Sequence, residues 1–200
     1  MQGTLVTSLA TQSGSNADAY LAWEAQQPEK HEYLAGEAFA MVDARREHVV
    51  VALNLAAAFK QRLRGGPCQA YVSDLKLRVE AADAFFCPDV VVSCELRDHA
   101  ADQFIEHPIL IVEVLSESTA AFDRGDKSAA YRSLPSLQEC VLVDIPSRRV
   151  ESFRRTAGPD WLFHEHRPEV EGCHVPASEV SVPCAEIFEN IGPDDAEPGG

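Results

Sequence analysis

Residues 109–119 read ILIVEVLSEST, and the reading of this stretch decides the fold. The first seven residues are apolar except for Glu113, and a run of that length rich in Ile and Val suits a central strand buried on both faces. Ser118 or Thr119 can then cap a helix that runs to about Leu134 and stops before Pro135. Beyond it, CVLVDI (140–145) and RVESFRR (149–155) read as an antiparallel strand pair about Pro146-Ser147. A strand-helix-strand crossover therefore follows Glu113, which predicts an α/β (α+β) architecture: a mixed β-sheet with helices against it.

Outward from this centre, Ala70 to Val79 and Phe85 to Cys94 alternate or run apolar between turn residues and read as strands. From Arg45 to Arg64, the residues Val49, Leu53, Ala56, Phe59 and Leu63 recur at three and four, and Gly65-Gly66-Pro67 ends the helix they predict. HEYLAGEAFAMV (31–42) reads as a hairpin turning at Ala35-Gly36, preceded by a short helix from Asn16 to about Gln27. WLFHEH (161–166) suits an edge strand, and VSVPCAEIF (180–188) a closing segment. Residues 1–15 are small and polar and 191–200 are acidic with Pro and Gly, so both are expected to be disordered around one domain at 16–190.

The 200 residues carry a formal charge of −15, and removing Asp194, Asp195 and Glu197 of the tail still leaves −12. Acidity is thus a property of the domain. No run approaches the roughly 20 apolar residues of a membrane span, and the N-terminus lacks the basic and apolar regions of a targeting segment. The six cysteines at 68, 87, 94, 140, 173 and 184 form no C-x-x-C pattern, and the expectation is reduced thiols in a cytoplasmic protein, with Cys94 and Cys140 packing as small hydrophobes.

Glu113 is the first candidate for chemistry, because an acid within an apolar strand must meet a cation or a proton. Asp89, in Cys87-Pro88-Asp89-Val90-Val91-Val92, opens another apolar strand. If the two strands are neighbours the carboxylates converge, and such a pair suits Mg²⁺, a hard cation that takes one or two carboxylates and keeps several waters. The alternatives are a turn acid at Asp89 and a structural ion pair at Glu113. On the following helix Asp123, Lys127 and Tyr131 share a face that continues into Ala130 and Leu134. The competing reading of Lys127 is an exposed pair with Asp123 worth about 0.3 kcal/mol.

Taken together, HEYLAGE, His48 at a helix start, VSDLKLRV, CPDVVV, ILIVEVLSEST, FDRGDKSAAY and LVDIPSRRV resemble the Uma-two family of restriction-endonuclease-like proteins in the PD-(D/E)XK nuclease superfamily. The resemblance runs in order from about Tyr20 to Phe188. It implies a restriction-endonuclease-like core, with Asp89 as the acid of the PD element and Glu113 as the acid of the D/E-x-K strand, both holding Mg²⁺ or Mn²⁺. Where the superfamily pattern places its lysine this chain has Leu115, and Lys127 on the next helix is the natural replacement. Glu32 could complete the acidic cluster, while His48, Asp74 and Tyr131 take supporting roles. His48 shares a face with Ala52, Leu55 and Phe59, so a buried structural histidine is the alternative. Asp74 is equally readable as a solvated strand acid.

His164 and His166 alternate on a strand, but no third metal ligand accompanies them, which favours a surface strand. No phosphate-binding Gly-rich loop and no Ser or Cys nucleophile motif is present. The implied function is a metal-dependent endonuclease hydrolysing DNA phosphodiester bonds, with weak, metal-assisted DNA binding because the domain's acidity repels a polyanion. Basic groups at Arg45-Arg46, Lys60-Arg62-Arg64, Arg148-Arg149 and Arg154-Arg155 could be gathered by a homodimer around a cleft. Competing classes are a nuclease-fold protein that binds a basic partner without cutting, and a hydrolase of a smaller phosphate substrate.

Overall fold

A computed structural model describes residues 17–41, 44–166, 174–177 and 180–192. The predicted central strand is β8 (Pro108–Leu115), which pairs antiparallel with β6 (Val90–Ser93) and parallel with β9 (Glu139–Asp144). These strands lie inside a six-stranded sheet completed by β3 (Gln69–Val72) on one edge and by β10 (Arg149–Arg155) and β11 (Trp161–His166) on the other. A second, five-stranded sheet has the order β2 (Glu37–Ala40), β1 (His31–Leu34), β5 (Ala84–Phe86), β4 (Lys76–Val79), β7 (Phe104–Ile105). A small antiparallel pair, β12 (His174–Ala177) with β13 (Val180–Pro183), follows; the predicted N-terminal helix is α1 (Ala17–Glu24), and a short α3 (Leu96–His99) precedes β7.

The period of two along β8 sorts its side chains into two layers. Leu110, Val112 and Val114 join the core beneath α2 (Arg46–Arg62) and α6 (Cys184–Ile187). Ile111 and Leu115 join the core shared with Leu77, Val79 and Phe86 of the five-stranded sheet, and with Tyr131 and Leu134. Glu113 alternates with Ile111 and Leu115, so its carboxylate enters this second apolar layer.

Two predicted strands prove to be broken. The run 70–79 divides into β3 and β4, which belong to different sheets, at a turn closed by Leu75 N–H donating to the Val72 carbonyl at 3.1 Å. The run 85–94 divides into β5 and β6, again in different sheets, where Pro88 offers no N–H to a ladder. Asp89 therefore stands where the chain crosses from one sheet to the other. The β1–β2 hairpin turns at Ala35 and Gly36 as expected, with positive φ at both.

On α2 the inward face is Val51, Leu55, Ala58 and Phe59. Val49 and Leu53 point outward, 53% and 63% exposed. Of the expected stripe, Phe59 is in the core and Ala56 and Leu63 pack against it, so the helix, apolar around most of its circumference, is rotated by only part of a turn from the expected phase. The helix after β8 is also interrupted: α4 (Ala120–Phe122) and α5 (Ser128–Arg132) are joined through a wider helical turn, Asp123–Lys127, with a kink at Gly125.

The expectation of reduced thiols fails for Cys68 and Cys94, which form a disulfide. Gln69 opposes Ser93 in the β3–β6 ladder, so the cysteines one residue further out are brought side by side. Cys87 and Cys140 are free and buried. The folded body also extends past residue 190, since Ile191 packs in the core and Arg148 donates to the carbonyls of Ile191 at 3.1 Å and Gly192 at 2.7 Å. The expectations for residues 1–16 and 193–200, including a cap at Asn16, lie outside the described residues. Among the described residues no helix is long and apolar enough to cross a membrane.

Candidate functional site

Val90 opposes Val112 and Val91 opposes Ile111 in the β6–β8 ladder; continuing that register by one residue sets Asp89 opposite Glu113. Asp89 itself stands just outside the ladder, and its carboxylate reaches the backbone of Val114, the neighbour of Glu113, so the two acids come together where the chain switches sheets. Asp89 Oδ2 accepts from the Val114 N–H at 2.8 Å and lies 3.3 Å from His48 Nε2. Glu113 is 4% exposed, and its Oε1 accepts from the Tyr131 hydroxyl at 2.5 Å and lies 2.9 Å from Lys127 Nζ.

Lys127 is itself 5% exposed. Its ammonium lies 2.8 Å from Glu32 Oε1 and 3.7 Å from Asp123 Oδ1, and 5.6 Å from the centre of the Phe86 ring. The alternative of an exposed Asp123–Lys127 pair therefore does not describe this residue. Glu32 enters from β1 of the other sheet, where the Cys87 N–H donates to Oε1 at 2.9 Å and ties it to the chain just ahead of Asp89. Asp89, Glu113, Lys127 and Glu32 are thus brought together, with Tyr131 and His48 in contact with one acid each.

Asp74 is apart from this group. It lies in the turn between β3 and β4 with its side chain 81% exposed, and pairs with Lys30, which matches the solvated reading of that acid. Asp123, which spacing marked only as an ion-pair partner, is buried beside Lys127. The signal for it was the four-residue spacing; the inward turn depends on the kink at Gly125, which spacing does not contain. The rings of His164 and His166 lie 4.2 Å apart and tilted by 54° on edge strand β11, and no third metal ligand joins them among the described residues.

Burial pushes the Glu113 carboxyl up to about 8; the Lys127 charge opposes this, and the charges of Asp89, Asp123 and Glu32 add to it. Burial likewise raises Asp123 against the pull of Lys127. For Lys127, burial disfavours the ammonium, but Glu113, Glu32 and Asp123 outweigh it and hold its pKa well above the ordinary value. Burial also opposes charge on His48, and there the hydrogen bond and charge of Asp89 prevail and raise it.

The acids fit a hard divalent cation. Asp89 Oδ1 and Glu113 Oε2 take no hydrogen bond among the described residues, so each carboxylate has one oxygen fixed and one to offer. Among the described residues no three His, Cys, Asp or Glu side chains stand in ligating geometry; a cation bound by the two carboxylates would have to complete its shell with water, as Mg²⁺ does. The basic groups are mostly engaged elsewhere: Arg45 with Glu117, Arg62 with Glu186, Arg149 with Glu165 and Arg154 with Glu139.

Residues 17–182 match the family Uma2, described as "Putative restriction endonuclease". Two uncharacterized proteins of Synechocystis sp. are similar to the chain. One is 41% identical over 146 residues, covering 73% of this chain and 77% of the relative. The other is 33% identical over 160 residues, covering 78% and 90%. Among solved structures, a crystal structure described as "a putative nuclease belonging to DUF820" from Anabaena variabilis superposes with a TM-score of 0.66 at 18% identity, over 88% of this chain and 98% of that one. At that identity the likeness establishes the fold.

Proposed function

This chain belongs to the Uma2 family, and from that premise we propose that it is a metal-dependent endonuclease that hydrolyses DNA phosphodiester bonds. The observation that carries the proposal is the bond from the Val114 N–H to Asp89 Oδ2 at 2.8 Å, which seats Asp89 beside Glu113, with Lys127 Nζ 2.9 Å from Glu113. Asp89 and Glu113 would hold Mg²⁺ or Mn²⁺ through their open oxygens. A divalent cation bound there supplies acidification of an attacking water and positive charge against the growing charge of the phosphate.

The chain's own groups have separate tasks. Tyr131 and Lys127 fix Glu113 Oε1, so that carboxylate cannot rotate as substrate enters. Lys127, held protonated by three carboxylates, acts as a fixed positive charge beside the scissile phosphate and orients the attacking water through its N–H groups; it replaces the lysine that Leu115 does not provide. Glu32 and Asp123 hold that ammonium, and Glu32 also anchors the Cys87-Pro88-Asp89 crossing. A homodimer, which would gather two sets of arginines around one cleft, belongs to the same proposal.

A second reading, a nuclease-fold protein that binds without cutting, is favoured by one observation: carboxylates engage Lys127 from three residues, so its charge is satisfied within the protein. The two readings separate on incubation of the purified protein with plasmid and with single-stranded DNA, in Mg²⁺, in Mn²⁺ and in chelator. Cutting that requires the metal supports the endonuclease; intact DNA under every condition supports the binding protein.

A further inference from the structure

We propose that His48 is a positioning residue for Asp89, fixing which oxygen of that carboxylate is offered to a divalent cation. The inference rests on the metal-site reading above. Asp89 stands one residue ahead of β6 and directly after Pro88, at a crossing between sheets rather than within a strand. Two donors from different elements converge on its Oδ2: the Val114 N–H of β8 at 2.8 Å and, with its proton on that nitrogen, His48 Nε2 of α2 at 3.3 Å. Oδ1 has no such partner among the described residues. A carboxylate held by one oxygen from two directions has its rotation about Cβ–Cγ fixed, and its other oxygen is presented in one place.

The placement of His48 gives this brace its stiffness. It lies in the first turn of α2, and the same helix is clamped to the six-stranded sheet by Val51, Leu55 and Phe59, all fully buried. Asp89 is thereby held from α2, while Glu113 is held by Tyr131 and Lys127 of the segment after β8. Each acid of the pair has one oxygen tied to a separate rigid element. A histidine serving only the core would have its ring among apolar side chains; this one ends on a carboxylate at the site, 19% exposed.

The test is calorimetric titration of Mn²⁺ into the full-length protein, with folding followed by thermal melting. His48→Ala should weaken Mn²⁺ binding by about 10- to 100-fold, the range for losing a group that orients a ligand, while His48→Gln, whose amide N–H can reach Asp89, should stay within about threefold of the wild type. If His48→Ala does not fold, His48→Met, of similar reach and without a donor, takes its place. Wild-type affinity in the donor-less variant, with Glu113→Gln weakened, would overturn the role of His48 and leave the metal site standing. Equal weakening by Gln and by Ala would also overturn it, since the imidazole would then matter for something other than its N–H. Absence of Mn²⁺ binding by the wild type would overturn the metal-site reading and the inference together.

Discussion

Lys127 faces Glu32, Glu113 and Asp123 at 2.8, 2.9 and 3.7 Å among largely buried side chains, and its removal has two separable consequences. Lys127→Ala is predicted to lower DNA cleavage by about 10²- to 10³-fold, the cost of losing a preorganised electrostatic donor, with metal affinity largely retained. It should also destabilise the fold by about 3 kcal/mol in urea melts at pH 8, because buried carboxylates lose their cation. That cost should shrink at pH 5, where Glu113 and Asp123, both raised by burial, can take up protons instead. An unchanged rate, with a stability loss under about 0.5 kcal/mol, would return Lys127 to the class of exposed pairs. The burial of this residue was legible in sequence because Asp123, Lys127 and Tyr131 fall four apart on a face that becomes apolar. The convergence of Glu32 was not legible from spacing, since it comes from a strand of the other sheet and only the crossing at 87–89 brings it near.

Among the elements, α2 shows where periodicity misleads. Its apolar residues surround most of the helix, and the phase is settled by what the sheet offers, which is a groove for Val51, Leu55 and Phe59. Leu55→Ala should therefore cost about 2–5 kcal/mol, and Leu53→Glu should change stability by less than about 0.5 kcal/mol; chemical denaturation of the two variants measures the phase directly. Equal losses would place both residues in the core. Strand β8 was readable because seven consecutive residues are apolar apart from one acid, and the β1–β2 hairpin because Ala35-Gly36 interrupts two alternating runs. The breaks within 70–79 and 85–94 were hidden because each half keeps strand-like alternation, while the change of sheet is a tertiary event. The Cys68–Cys94 bridge was hidden for the same reason, as it follows from the β3–β6 register.

Strand β9 carries a pH dependence of its own. Glu139 is buried with Oε1 unpartnered among the described residues, and burial pushes its carboxyl up to about 7 although Arg154 pulls it down from 3.3 Å. The unfolded chain releases that proton near the ordinary glutamate value, so between about pH 4.5 and 7 the folded state binds more protons than the unfolded one. This contribution to stability is complete below that window and lost as pH rises through it. Glu139→Gln should flatten the fall in urea midpoint from pH 5 to pH 8; an unchanged slope would mean that Glu139 is ionised in the folded protein.

At the scale of the whole molecule, a net charge of −15 and arginines already paired with acids leave little positive field for a polyanion. DNA binding measured by fluorescence anisotropy is accordingly predicted to be weak, to fall further with salt, and to strengthen in Ca²⁺, which offsets the acids before a phosphate enters. Tight binding in chelator would contradict this electrostatic account. The whole chain then converges on the pair that the switch between sheets creates, Asp89 beside Glu113. The most direct measurement is plasmid cleavage in Mg²⁺ by the wild type and by Glu113→Gln, each shown to be folded. The prediction is nicking or linearisation by the wild type that chelator abolishes and that Glu113→Gln lacks; cleavage by Glu113→Gln at the wild-type rate would contradict the central claim.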